Sequence, residues 1–233
     1  MAGRKNFVAG EILTAADVNS FLMDQSVMVF DDSAARGSAI PTPSEGMVTY
    51  RKDLGGAAGL EVYDGAGFAP VSGILQVVSA TKSNTFSTSL APGNFSDVTG
   101  LEATITPTST SSKILVLASF VGASNGGGIQ GSSAFRFMRD STAIGIGDAD
   151  GSRSRITSRA IVISANDTQM SNINGNFLDS PNTVSPVTYK IQIANVLETG
   201  STVTVYVNRN DSNGTSASNG RTISTITLME VAG

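Results

Sequence analysis

Short runs of apolar and β-branched residues recur along the chain from residue 74 onward, separated by Gly, Asn, Ser and Pro. They follow one another at intervals of about 8–15 residues, a spacing typical of all-β sandwiches and barrels. No helical pattern lies between them, which excludes a parallel α/β sheet because that needs crossover helices. We therefore predict a mainly β fold, an antiparallel β-sandwich of the jelly-roll kind. The predicted strands are 74–79, 98–106, 113–121, 134–146, 159–164, 173–178, 187–196, 202–208 and 222–231.

The strand predicted at 187–196 alternates between apolar and polar side chains over most of its length. Because successive side chains of a strand point to opposite faces, one of its faces is apolar and the other polar. Tyr189 lies on the apolar face, between Val187 and Ile191. We expect Tyr189 to be an aromatic residue of the core.

The strand at 114–121 does not alternate, and both of its faces are largely apolar. A strand of a sandwich has only one inner face, so the second apolar face must be buried elsewhere. Packing against another copy of the same chain is the simplest way to bury it. We therefore infer an obligate oligomer, with Leu115, Leu117 and Phe120 at the subunit interface.

One helix is predicted near the N-terminus. Thr14 followed by Asp17 matches a capping box, which places the helix start near Ala15. Val18, Phe21 and Leu22 then form a narrow apolar stripe. A helix of about a dozen residues is marginal by itself, so the stripe needs a partner. That partner is either the helix's own domain, or other copies of the chain or another protein.

Residues 47–71 are predicted to form a few short strands. The dipeptide Asp64–Gly65 is a strong hairpin-turn signal between two of them. So few strands bury too little apolar surface to fold independently. We expect a small β-hairpin module that neighbouring chains stabilise.

Charge divides the chain into two parts. Residues 1–73 carry five positive and nine negative side chains, which accounts for the net charge of −4, and residues 74–233 carry ten of each. Gly and Pro cluster just before residue 74, at the same boundary. We predict an N-terminal arm, 1–73, and a C-terminal β domain, 74–233. The absence of a basic surplus argues against nucleic-acid binding. No membrane insertion and no signal peptide are expected, because the apolar runs are short and charges interrupt the N-terminus.

The composition leaves little room for catalysis, so we expect no enzyme activity and no cofactor. The chain has no Cys and no His, which removes thiolate chemistry and the commonest general base. Asp148 and Asp150 lie in an Asp-x-Asp-Gly loop that either holds Ca²⁺ or forms local ion pairs with the arginines that follow. Arg153, Arg155 and Arg159 form the densest basic group. They are either solvated loop charges or contacts for an anionic surface polymer.

Glycan binding is compatible with a domain rich in hydroxyl and amide groups. Loops 125–128 and 210–220 are rich in Asn, Ser and Gly, as adaptable recognition loops are. Tyr206 shares a face with Thr204 and is either an exposed sugar platform or part of a subunit seam. The candidate binding residues are Asn125, Tyr206, Asn213 and Asn219.

Several phrases of the sequence resemble tail-fibre and minor structural proteins of tailed bacteriophages. The N-terminal phrases are FVAGEILTAADVN at 7–19, IPTPSEGMVTY at 40–50 and LEVYDG at 60–65. The C-terminal phrases are TITP at 104–107, SSKILV at 111–116, FLDSP at 177–181, TYKIQ at 188–192 and ISTITLMEV at 223–231.

This resemblance covers nearly the whole chain and implies a homotrimeric virion protein that is assembled in the host cytoplasm. Its arm would attach to the tail or the capsid, and its jelly roll, similar to trimeric C1q- and TNF-like domains, would face outward. The interface at Leu115, Leu117 and Phe120 would then be a trimer interface. The implied function is a short fibre that recognises a host surface, a glycan or a protein. The alternatives are a capsid decoration or head fibre with no specific receptor, and a soluble lectin-like module.

Overall fold

The computed structural model describes residues 8–12, 14–18, 27–54, 58–71, 73–125, 131–162, 170–196 and 202–232. The chain forms two compact units. The first ends at Leu75 and includes Ala232, and the second spans Gln76–Val231. No helix in the described part of the chain is both long and apolar enough to span a membrane.

The described part of the first unit contains two short helices and a four-stranded sheet. The bounds are α1 Ala15–Asp17, β1 Met28–Phe30, α2 Ser33–Ala39, β2 Val48–Arg51, β3 Gly59–Tyr63 and β4 Phe68–Pro70. The sheet has the order β1-β2-β3-β4. Strands β1 and β2 are parallel, and helix α2 connects them. The other neighbours are antiparallel, and the Asp64–Gly65 turn joins β3 to β4 as predicted.

Helix α1 begins where the sequence predicts. The Thr14 hydroxyl accepts a hydrogen bond from the backbone N–H of Asp17 (3.1 Å), and the Asp17 carboxylate accepts one from the N–H of Thr14 (3.2 Å). This reciprocal pair is the capping box, and it satisfies two donors that a helix start leaves unpaired. Val18 is half-buried at the end of the helix. Phe21 and Leu22, the rest of the predicted stripe, lie outside the described residues.

The second unit is an antiparallel β-sandwich, so the predicted mainly β fold is confirmed. Its strands are β5 Ile74–Lys82, β6 Phe86–Leu90, β7 Phe95–Ile105, β8 Lys113–Ser124, β9 Gly131–Arg139, β10 Thr142–Ile144, β11 Ser158–Val162, β12 Ser171–Asp179, β13 Val187–Ala194, β14 Val203–Val207 and β15 Ser224–Val231. One sheet has the order β10-β9-β13-β7, with β11 paired to β9. The other has the order β5-β15-β8-β14-β6, with β12 paired to β8.

The sandwich encloses one core of aliphatic and aromatic side chains. Phe135 stands at its centre, with edge-to-face contacts to Phe120 (ring centroids 5.1 Å apart) and Phe137 (5.2 Å). Tyr189 is fully buried, which confirms the prediction that it is a core aromatic. Its hydroxyl donates a hydrogen bond to the buried carboxylate of Asp179 (2.7 Å).

Strand β8 shows that one of the three predicted interface residues was misplaced. Phe120 is fully buried inside the sandwich, so its expected position at a subunit interface is wrong. The side chains at 114, 116, 118 and 120 point to the core, whereas Leu115 and Leu117 point to the outer face and are half-buried. The strand does alternate in direction, and only its outer row is left for another partner. The predicted trimer stays a prediction.

Candidate functional site

The outer face of the six-stranded sheet is open where β12, β8 and β15 lie side by side. Leu115 of β8 stands opposite Leu178 of β12 on one side and Met229 of β15 on the other. Leu178 is 48% exposed. Two residues along β8, Leu117 stands between Asn176 and Thr227. We call this surface the open sheet face.

The open sheet face changes from apolar to polar along the strands. Beyond Leu117, Ser119 lies between Asn174 and Thr225, and Val121 lies opposite Asn172. A groove of about 420 Å³ runs over the middle of the face, with Leu117 and Ser119 among its walls. From Leu115 to Val121, none of these outward side chains is charged. Charge-depleted cores rimmed by polar groups are typical of protein interfaces.

Tyr206 is buried, so its predicted exposure is wrong. Only 6% of the residue is accessible, although it lies on the outer side of β14. The guanidinium of Arg209 covers its ring at 4.1 Å, and its hydroxyl donates to the carboxylate of Asp211 (2.5 Å). Burial, together with the hydrogen bond to Asp211, raises the pKa of Tyr206. A ring covered in this way offers no free face to a sugar, and its role in binding stays a prediction.

The side-chain amides of the predicted binding asparagines are engaged in hydrogen bonds within the protein. The side-chain oxygen of Asn125 accepts from the N–H of Thr204 (2.8 Å). Asn219 accepts from the amide of Asn210 (2.7 Å), and Asn213 accepts from Arg221 (2.5 Å). The bonds of Asn219 and Asn213 join residues of the 210–220 loop to one another and to Arg221. Ligand binding by Asn125, Asn213 and Asn219 stays a prediction.

The acidic loop before β11 forms a local ion pair. The carboxylate of Asp150 lies 3.3 Å from the guanidinium of Arg153, as one of the two alternatives predicts. Arg155 instead donates to the backbone oxygen of Gly147 (2.7 Å). Among the described residues, no three acidic side chains gather as metal ligands would, at this loop or elsewhere.

The first unit has a polar centre instead of an apolar core. Among its described residues, only Thr49 and Glu61 are buried. The Glu61 carboxylate accepts from Arg36 of α2 (2.5 Å) and from the hydroxyl of Thr49 (2.9 Å), and Arg51 approaches it to 3.7 Å. Arg36 also lies over the ring of Phe68 at 4.1 Å, so α2 covers this face of the sheet.

The opposite face of the four-stranded sheet carries aliphatic side chains and Tyr50, and none of its described strand residues is charged. Strand alternation and register place two rows across the strands: Val29, Tyr50 and Leu60, then Val48, Val62 and Ala69. Val29 is 60% exposed and Leu60 42%. We call this surface the apolar arm face.

Two buried carboxylates of the sandwich, Asp179 and Glu230, accept hydrogen bonds that the sequence does not predict. Asp179 accepts from Tyr189 and from Arg139 (2.9 and 3.0 Å). Burial alone would raise the pKa of Glu230, but hydrogen bonds that include those from Gln76 and Thr108 lower it. Each carboxylate meets donors from distant segments, so no local motif could have revealed the contacts.

No protein-family model matches the chain, and no curated protein is similar to it. Three solved structures similar to it come from infectious bursal disease virus. They are a VP2 point mutant in T=1 particles (16% identity, TM-score 0.33, 72% of this chain and 40% of that one), the Gt strain (14%, 0.35, 87% and 54%) and the Gx strain (12%, 0.36, 76% and 44%). All three come from virus structures, and this chain spans about half or less of each. At these TM-scores the similarity identifies no function.

Proposed function

We propose that this protein is a non-enzymatic virion fibre. Residues 1–73 attach it to the particle, and residues 74–233 are displayed for contact with the host surface. The observation that carries the proposal is the unequal burial of the two units. The sandwich has a continuous apolar core, whereas no apolar side chain is fully buried among the described residues of the first unit. A unit without an apolar core needs a partner to be stable.

The apolar arm face supports attachment through the first unit. Exposed apolar side chains are common singly, but two aligned rows on one sheet mark an interaction surface. Burying Val29 and Leu60 against a particle protein would supply the hydrophobic stabilisation that the polar centre around Glu61 lacks.

The open sheet face supports self-association of the sandwich. Leu115, Leu117 and Met229 lie half-buried, and the described outward side chains from Leu115 to Val121 carry no charge that packing would leave unpaired. The groove beside Leu117 gives the surface relief into which a second copy can insert side chains. That the oligomer is a trimer is proposed from the resemblance to trimeric phage proteins.

The buried carboxylates support a structural role. Asp179 and Glu230 each accept hydrogen bonds from the protein itself on both carboxylate oxygens. A carboxylate held in this way has little freedom to act as an acid or base toward a substrate.

Two measurements on particles test the proposal. Electron microscopy of virions with gold-labelled copies of the protein should show label at an outer surface, and its position on tail or head separates a tail fibre from a head fibre or capsid decoration. Particles that lack the protein should adsorb poorly to host cells. Normal adsorption would reject host recognition and favour a decoration without a receptor.

A further inference from the structure

A cavity of about 510 Å³ opens beside the five-stranded sheet, between the loop that precedes β11 and the ends of neighbouring loops. Its volume lies within the range usual for small-ligand sites. Two arginines, two serines and apolar side chains are among its walls, and no described wall residue is acidic. We call it the arginine cavity. The wall residues used below are Ser152, Arg153, Ser154, Ile156, Arg159 and Val196.

Strand pairing places Arg159 at the cavity. Arg159 of β11 stands opposite Ala134 of β9, which stands opposite Ala194 of β13. Val196, two residues beyond Ala194, forms part of the wall. The next residue of β11, Ala160, packs against the core, so Arg159 points outward. Its side chain is exposed and makes no ion pair or hydrogen bond with the described part of the chain.

Arg153 is available as a second cationic wall. Its ion pair with Asp150 has side chains that are 82% and 70% exposed. Such a surface pair contributes little free energy, so a ligand anion can compete for the guanidinium. Arg155 lies between the two in sequence but is not part of the wall and is bound to Gly147. The fold thus places two of these three arginines in the cavity wall and the third outside it, a difference that their clustering in the sequence does not show.

We propose that the arginine cavity binds the acid groups of an anionic polysaccharide. Planar guanidinium groups bind carboxylate, sulfate and phosphate through paired hydrogen bonds. The hydroxyls of Ser152 and Ser154 suit the neutral hydroxyls of a sugar, and Ile156 and Val196 offer apolar contact to its ring. As a ligand class for the host-surface contact, this inference rests on the proposed function.

The test uses the purified protein, residues 1–233, and four immobilised polymers: polygalacturonate, dextran sulfate, neutral dextran and polyglutamate. The protein should bind one or both acidic polysaccharides more tightly than neutral dextran and polyglutamate, and salt should weaken the binding. Arg159→Gln should weaken it about tenfold because it removes an exposed charged donor from the cavity wall. Arg153→Gln should weaken it about threefold because Asp150 competes for that guanidinium.

Arg155→Gln is the matched control. It removes the same charge from the same loop but not from the cavity wall, so it should change the affinity less than about twofold. Thermal melting of each variant checks that the fold is retained. Equal weakening by all three substitutions would show non-specific attraction and overturn the proposal. Equal binding to polyglutamate would overturn the assignment to a polysaccharide, and no binding to any acidic polysaccharide would overturn the site.

The binding assay requires no particles, so its result does not depend on whether the protein acts in adsorption. If particles without the protein adsorb poorly but the protein binds no polymer, polysaccharide binding at the arginine cavity is rejected and the role in host recognition is kept. If the protein binds an acidic polysaccharide through Arg159 but particles without it adsorb normally, polysaccharide binding at the cavity is kept and the role in adsorption is rejected.

Discussion

Glu230 is a charged side chain that lies fully buried in the last strand of the sandwich. Its two oxygens accept from the side chain of Gln76 (2.5 Å) and from the backbone and hydroxyl of Thr108 (2.6 and 2.7 Å). Because these bonds favour the ionised form, they outweigh burial and hold the pKa of Glu230 below its ordinary value of 4.5. One carboxylate thereby links β15 to β5 and to the loop after β7.

A lowered pKa predicts how stability changes with pH. The ionised Glu230 stabilises the fold above the ordinary glutamate pKa, and this contribution is lost as the pH falls through the lower pKa of the folded state. Glu230→Gln should therefore reduce the free energy of unfolding by about 1–3 kcal/mol at neutral pH and by less in acid.

Urea denaturation from neutral pH to below pH 4.5, the ordinary value for this carboxyl, measures the effect. Glu102→Gln, at an exposed position of β7, removes the same charge and should leave the wild-type profile unchanged. If the difference in the free energy of unfolding between Glu230→Gln and the wild type stays constant as the pH falls, the stabilisation does not come from ionised Glu230.

Tyr206 shows which residues sequence reasoning could not place. Alternation with its strand neighbours predicts that its side chain points outward, and the side chain does point away from the core. Exposure, however, depends on Arg209 and Asp211, which come from the loop that folds back over it. Alternation reports the side of a sheet that a residue faces, but not what a later segment places on that side. For the same reason, Arg159 and Arg155 look equivalent in the sequence.

At the scale of single elements, the apolar pattern predicted strands that have a complete inner row. Strand β13 has one, with Val187, Tyr189, Ile191 and Ile193 all buried. Strand β6 was missed, because only Phe86 and Leu90 are apolar in its five residues. Helix α2 was missed as well, because its small residues form no apolar stripe and Arg36 makes its main contacts.

Gly175 makes the close packing of β12 against the core possible. A Cβ added there would lie 2.5 Å from the Cζ of Phe135 and 3.2 Å from the Cγ2 of Thr157. Phe135 contacts two other rings and cannot move without disturbing them. Gly175→Ala should therefore lower the free energy of unfolding by about 1–3 kcal/mol through overpacking. Chemical denaturation measures this change.

Gly147→Ala is the control for Gly175→Ala. A Cβ at Gly147 would meet no atom within 4 Å, so the same substitution adds no overlap there. If both variants lose the same stability, the loss comes from backbone effects of removing a glycine, and the packing explanation is wrong.

At the scale of the whole molecule, the open sheet face predicts the assembly. Leu117→Asp would bury an unpaired charge between copies, which is costly. Light scattering should show three times the monomer mass of 23.9 kDa for the wild type and a shift toward the monomer for the variant. Val184→Asp, at a loop position that is 54% exposed, should keep the wild-type mass. A monomeric wild-type protein would refute the trimer, and a Leu117→Asp protein of unchanged mass would place the interface elsewhere.

The division of labour between the two units predicts the effect of removing residues 1–73. The sandwich keeps its core and its two sheets, so the remaining chain should fold and melt cooperatively. It should no longer enter virions, because the apolar arm face is gone. Leu60→Asp in the full chain should act in the same direction but more weakly, since it places one charge on that face.

Lys52→Asp is a suitable control for Leu60→Asp, because Lys52 is exposed beside the same sheet and its ion pair is with Asp31, which is also exposed. Each protein is supplied during particle assembly, and purified virions are probed for it. Truncated protein at normal levels in virions would show that the sandwich itself attaches to the particle. A Lys52→Asp variant of residues 1–233 that is excluded as strongly as Leu60→Asp would show that charge, and not the apolar rows of the sheet, decides incorporation.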